Sequence, residues 1–154
     1  MKVCAFMSVF NEEDVVEEVV QKMICSGIDL YILDNGCTDR TVGILPKYVG
    51  KGVIDIVHFV SEENGQRVFK LSDILEQFEI ASRKLPHDWF MISDADEIKY
   101  GPWQNLTLNE SIERVDKKGF NLINFKLFDF RPTLEASSEG EIETSMQWYS
   151  DAQP

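Results

Sequence analysis

Three carboxylates fall within four residues at Asp94-Ala95-Asp96-Glu97, directly after the apolar run Trp89-Phe90-Met91-Ile92-Ser93. Carboxylate oxygens are hard ligands, and Asp94 and Asp96 converge on one ion if they sit in a turn beyond a strand. A Mg²⁺ or Mn²⁺ held by one or two such groups keeps positions open for diphosphate oxygens and water. The same residues also describe a solvated or capping acidic turn, and an isolated D-x-D is common in an acidic chain. Its place at the tail of an apolar run makes it more informative. A second polar cluster is Asp34-Asn35-Gly36 with Thr38-Asp39-Arg40-Thr41. Asp-Asn-Gly is good turn chemistry, in which Asp34 satisfies nearby backbone N–H groups. Thr38 to Thr41 reads as a helix start. The third cluster is Asn11-Glu12-Glu13-Asp14. The two histidines, His58 within a strand pattern and His87 before one, have no carboxylate at useful spacing and read as ordinary residues. Arg67, beside Asn64-Gly65-Gln66, suits a phosphate contact or a solvated helix start.

These groups need elements to hold them. Val3 to Phe10 is nearly all apolar and reads as a strand buried on both faces. Asn11 is the expected cap of a helix whose apolar face is Val15, Val16, Val19, Val20, Met23 and Ile24, with Glu12, Glu13 and Asp14 in its first turn and Gly27 at its end. Leu30 to Leu33 is a second strand. Thr38 is the expected cap of a short helix that Pro46 interrupts. Val53 to Val60 is a third strand, and Ser61 to Gly65 reads as polar loop. Val68, Leu71, Ile74, Leu75, Phe78 and Ala81 mark a longer helix ending before Pro86. Asp88 to Ser93 is a fourth strand. Leu108, Ile112 and Val115 fit a further helix ended by Gly119, and Asn121 to Phe128 is a fifth strand candidate. Alternation of strand and helix predicts a three-layer α/β/α sandwich with a mainly parallel sheet. Ligands of such sheets bind outside the carboxyl ends of the strands, where all three polar clusters fall.

The chain has 154 residues, 44% of them hydrophobic, enough for a real core. A formal charge of -12 disfavours nucleic acid as a partner. A bound divalent ion would still let an acidic rim accept a phosphorylated molecule. Cys4, Cys25 and Cys37 are odd in number and lack metal-site spacing, so they read as free thiols in a reducing, cytoplasmic setting. Asn11 to Asp14 interrupts the opening apolar run too early for a signal peptide, and no run reaches the length of a membrane span.

Two metal or nucleotide folds fit less well. A haloacid-dehalogenase-type phosphatase carries its D-x-D at the first strand, which here ends Asn11-Glu12. A dinucleotide-binding unit needs G-x-G-x-x-G after that strand, and it is absent. Three ordered segments instead resemble the family 2-type nucleotide-sugar glycosyltransferases of GT-A fold. They are Phe6 to Glu13 (FMSVFNEE), Ile32 to Thr41 (ILDNGCTDRT) and Ile92 to Glu97 (ISDADE), with Cys37 where that family usually has Ser. The resemblance covers residues 2–133, the donor-binding half of such enzymes.

That resemblance implies transfer of a sugar from a nucleoside-diphosphate sugar, typically UDP-linked, to an acceptor it does not identify, such as a surface glycan or other saccharide. Phe10, Asn11 and Glu12 would line the nucleotide pocket. Asp34 would accept a hydrogen bond from the base, and Asp39 would support the turn or approach the nucleotide. Asp94 would face the ribose or sugar. Asp96, with Asp94, would hold a Mn²⁺ or Mg²⁺ that bridges the diphosphate. Glu97 has no role in the motif. The general base of such enzymes lies beyond the donor half; Glu139, Glu141 and Glu143 are in that region but match no motif. The expected organisation is a nucleotide-sugar-binding domain over 1–133 and a loop opening a truncated C-terminal region over 134–154. A non-catalytic nucleotide-sugar-binding module, completed by a partner chain, is the alternative, and homo-oligomerisation is open.

Overall fold

The computed structural model describes residues 1–130 and 149–151. Expectations that fall elsewhere, including the boundary between 133 and 134 and the residues Glu139, Glu141 and Glu143, lie outside the described residues. The order is β1 (Val3–Val9), α1 (Val16–Cys25), β2 (Asp29–Asp34), α2 (Thr41–Ile44), a 3-10 turn (Leu45–Tyr48) and β3 (Val53–His58). Then come β4 (Ser61–Glu63), β5 (Gln66–Val68), α3 (Leu71–Ser82), β6 (Trp89–Asp94), α4 (Leu108–Asp116), β7 (Phe128–Phe130) and β8 (Tyr149–Asp151). The chain divides into two units, Met1–Lys117 and Lys118–Pro154.

In the first unit β1 is the pivot. It pairs in parallel with β2 on one side and β6 on the other, and β3 joins β2, giving the order β3-β2-β1-β6. All but one of the β1 residues are buried, as a central strand with both faces covered requires. Cys4 and Phe6 pack with Leu33 against Ile74, Phe78 and Ala81 of α3. The Phe6 ring stacks on Phe78 at 4.9 Å and Phe90 at 5.3 Å, and Tyr31 meets it edge-on at 5.9 Å. The alternate β1 positions Val3, Ala5, Met7 and Val9 point the other way and are also buried. Helix α1 packs on β2 and buries the stripe Val16, Val19, Val20 and Met23 at helical spacing. Helix α4 starts with a Thr107–Glu110 capping box. It is tied to the end of α1 by Asn109, whose Nδ2 donates to the Gly27 carbonyl at 2.6 Å. The result is a parallel sheet flanked by helices, the expected α/β/α sandwich, with GT-A-type topology.

Several local expectations are corrected. Asn11 does not cap α1. Its backbone is left-handed (φ 57°) and its side chain turns away to residues 38 and 39. The helix starts at Val16, so its first-turn acids are Glu17 and Glu18 rather than Glu12, Glu13 and Asp14. Thr38 caps nothing either, since α2 begins only at Thr41. The segment expected as polar loop is a hairpin, with β4 and β5 antiparallel around Asn64 (φ 53°) and Gly65 (φ 73°). That turn needs two positive φ angles, which Asn-Gly supplies, and it takes Val68 out of the expected helix. Asn121 to Leu127 forms no strand; only Phe128 enters one, and β7 pairs antiparallel with β8 in a separate two-stranded sheet. Alternating apolar residues make a strand only where a neighbour takes up their N–H and C=O groups. No helix among the described residues is long and apolar enough to cross a membrane.

Candidate functional site

Because the four strands are parallel, their carboxyl ends form one rim. Val9 lies beside Asp34, Asp34 beside His58, and Ser8 beside Asp94 in register. The rim has two acidic corners, built very differently.

At the first corner the ends of β1 and β2 are knotted together. Asp34 accepts from the Cys37 amide on Oδ1 at 2.8 Å, and its Oδ2 lies 2.8 Å from His58 Nδ1. Desolvation pushes the Asp34 carboxyl up, but the bonds from Cys37 and His58 outweigh it and hold it below the usual carboxylate range. Asn11 Oδ1 accepts from the amides of Thr38 (2.7 Å) and Asp39 (3.3 Å), while its Nδ2 donates to Thr38 Oγ1 at 3.1 Å. Asp39 accepts from the Thr41 and Glu13 amides at 2.9 and 3.2 Å. These contacts, with the Thr41 hydroxyl, outweigh desolvation and lower its pKa. The Glu12 amide donates to the fully buried Thr41 Oγ1 at 2.9 Å, and Glu13 accepts from the Arg40 amide and guanidinium. Cys37 Sγ reaches the Val9 carbonyl at 3.5 Å and accepts from the Asn11 amide at 3.3 Å. Burial, the largest influence, pushes this thiol up to about 11. Asn11, Glu12, Asp34, Asp39 and Thr41 are thus parts of one hydrogen-bonded loop pair.

Arg67 of β5 straps this corner. Its guanidinium donates to the Gly36 carbonyl at 2.7 Å and to the Asn35 carbonyl, and lies 4.3 Å over the Phe10 ring. Gly36 has to be glycine here: its φ is +73°, and a Cβ would meet Arg67 and Val60 at 3.0 Å. With its guanidinium spent on carbonyls and a ring, Arg67 braces the turn rather than standing free for a phosphate.

At the second corner Asp94 ends β6, Ala95 is buried and Asp96 follows in the turn. Asp94 and Asp96 are exposed, and neither carboxylate has a hydrogen bond or ion pair among the described residues. Desolvation, then the charges of Glu97 and Asp96, raise the Asp94 pKa, with Lys99 opposing. Glu97, which the sequence left without a role, pairs with Lys99, whose ammonium also donates to Ser93 Oγ at 3.3 Å. That lysine side chain is only 10% exposed. Glu12 also has a raised pKa, from desolvation and then from Asp96, Asp14 and Asp39, so the two corners share one electrostatic field.

Between them lies an open cleft of about 580 Å³ lined by Phe10, Glu12, Asn35, Arg67, Asp94 and Asp96, with an apolar wall from Phe69, Leu71, Leu75 and Ile92. Asn11, Asp34 and Asp39 are not among the residues that line it. Among the described residues no group of three or more His, Cys, Asp or Glu side chains is arranged to hold a metal ion. Among the described residues, Asp94 and Asp96 are the cleft-lining aspartates whose carboxylates have no hydrogen bond or ion pair. That donor set suits a hard divalent cation whose remaining ligands come from elsewhere. Sequence reading missed His58 because its carboxylate is 24 residues away, reached only when β2 and β3 pair. His87 likewise meets Asp29, 58 residues away, at 3.0 Å.

No protein-family model matches the chain, and no curated protein matches it significantly. Solved structures do match, among them two of S. aureus TarS. The crystal structure of S. aureus TarS superposes with a TM-score of 0.55 at 15% identity, covering 94% of this chain and 26% of that one. The crystal structure of S. aureus TarS 1-349 gives 0.53 at 15% identity, covering 88% of this chain and 42% of that one. The chain thus spans well under half the length of either, and at this identity the likeness is one of fold.

Proposed function

We propose that this chain is the donor-binding part of a metal-dependent glycosyltransferase of family 2 type. It would move a sugar from a nucleoside-diphosphate sugar, UDP-linked in the simplest case, to a saccharide or other acceptor. The observation that carries this reading is one rim with two corners: Asp34, held by Cys37 and His58 next to the cleft-lining Asn35, and Asp94 and Asp96, which line the cleft and have no hydrogen bond or ion pair from their carboxylates among the described residues. The three motif segments meet on that rim, and the fold is shared with TarS.

In this reading Asp34 accepts the ring N–H of the base. Phe10, Asn11 and Glu12 form or back the nucleotide side of the cleft, and Asp39 keeps their loop in place. Asp94 faces the ribose or the sugar. Asp96, with Asp94, holds a Mn²⁺ or Mg²⁺. When bound, that ion offsets the charge of the diphosphate leaving group. Free Cys4, Cys25 and Cys37 suit a reducing, cytoplasmic setting. Calorimetric titration of UDP, with Mn²⁺ and with EDTA, tests the proposal. Binding that strengthens with Mn²⁺ is expected; a folded sample that binds UDP under neither condition rejects it.

A further inference from the structure

The donor of Asp34 that the turn does not explain is His58. The Cys37 amide bond spans three residues and is what any Asp-initiated turn makes for itself. The His58 bond comes from the neighbouring strand, where β3 ends in register with β2. One local bond leaves a carboxylate able to swing about its last torsion. Two donors, one on each oxygen and from different elements, hold its plane.

We propose that His58 is a positioning residue, holding Asp34 as a fixed hydrogen-bond acceptor that selects nucleotides whose base carries a ring N–H. The inference rests on the donor-site reading above and deepens it. Asp34 ionised has no proton to give, so both of its observed neighbours must donate, and Nδ1 of His58 is the protonated nitrogen. Each oxygen keeps a further lone pair, and the next residue, Asn35, lines the cleft. Uracil offers an N–H donor at N3. Cytosine presents an unprotonated nitrogen there, which an acceptor-only carboxylate repels. Discrimination of this kind is large where the mismatched base leaves buried polar groups facing each other. Asp34 itself is buried, at 8% exposure. The His58 side chain is 69% exposed, so replacing it removes little packing.

The experiment is calorimetry of UDP and CDP in Mn²⁺ with the wild-type chain and the His58→Leu, His58→Ala and His58→Asn variants. Leu and Ala remove the donor. Asn places an amide N–H close to the position of Nδ1. Removing a hydrogen bond to a charged group should weaken UDP binding about tenfold in both deletion variants and narrow the preference over CDP. His58→Asn should recover most of the affinity and the preference. Having two deletion variants keeps the test intact if one fails to fold. Unchanged UDP affinity and base preference in a folded deletion variant overturns the inference, and so does a His58→Asn that behaves like Leu. A wild-type chain that binds neither nucleotide removes the donor-site reading, and this inference with it.

Discussion

The two acidic corners of the rim use the same residue type to opposite ends. Around Asp34 the two aspartates are answered from within the chain: Cys37 and His58 serve Asp34, Thr41 and Glu13 serve Asp39, and Asn11 bridges to residues 38 and 39. At the second corner Asp94 feels the charges of Glu97 and Asp96, Glu12 feels that of Asp96, and Lys99, paired with Glu97, opposes them. The pKa directions follow: Asp34 is lowered and Asp94 raised. Partners that are internal make a rigid surface. Carboxylates that repel one another should make the apo protein less stable, and the proposed cation would relieve that repulsion.

The sharpest way to break this comparison is Asp96→Ala. It should abolish the Mn²⁺ dependence of UDP binding while leaving the melting temperature unchanged or slightly higher, because a repelling charge is gone. Undiminished Mn²⁺-dependent binding would put the ion elsewhere. Asp34→Ala should do the reverse to the fold. It leaves the part-buried Cys37 amide without its partner, while the exposed His58 can turn to water, so denaturant unfolding should show a loss of about 1 kcal/mol. A stable Asp34→Ala would mean that the first corner is not built as described. Lys99→Met separates the corners more finely. It removes the internal cation under the second corner and should lower apo stability by about 1–2 kcal/mol. Mn²⁺ should restore part of that loss, whereas a loss independent of Mn²⁺ would mark Lys99 as a purely structural pair with Glu97.

The smallest effect is in the pH dependence. Asp34, with its lowered folded pKa, stabilises the chain above the ordinary carboxylate range, and that contribution fades as pH falls through the folded value. Asp94, with a raised folded pKa, works the other way: it weakens the fold as pH rises through that value. Stability curves of Asp34→Asn and Asp94→Asn should therefore differ from wild type with opposite slopes in the acidic range. Parallel curves would show that the two carboxylates are equivalent.

Much of the frame was legible in sequence because burial leaves periodic marks. The unbroken apolar run of β1 and the stripe Val16, Val19, Val20 and Met23 are such marks, and so is the apolar lead-in to Asp94. The less legible parts depend on polar contacts between distant residues or on short polar strands. Asn11 looks like a helix cap until its side chain is seen to serve Thr38 and Asp39. Hairpin β4–β5 is three residues a side and mostly exposed, so no hydrophobic period announces it. Its Asn64-Gly65 turn was the available sign. Asn121 to Leu127 shows the opposite error: an alternating pattern in residues that form no strand.

The central claim is that the two corners hold the two ends of one donor. A crystal structure of the chain with UDP and Mn²⁺ tests it most directly. The account predicts an anomalous manganese peak within bonding distance of an Asp96 oxygen and a diphosphate oxygen, and the uracil N3 within hydrogen-bond distance of Asp34. A manganese peak away from Asp94 and Asp96, or a nucleotide lodged outside the cleft between the corners, would contradict it.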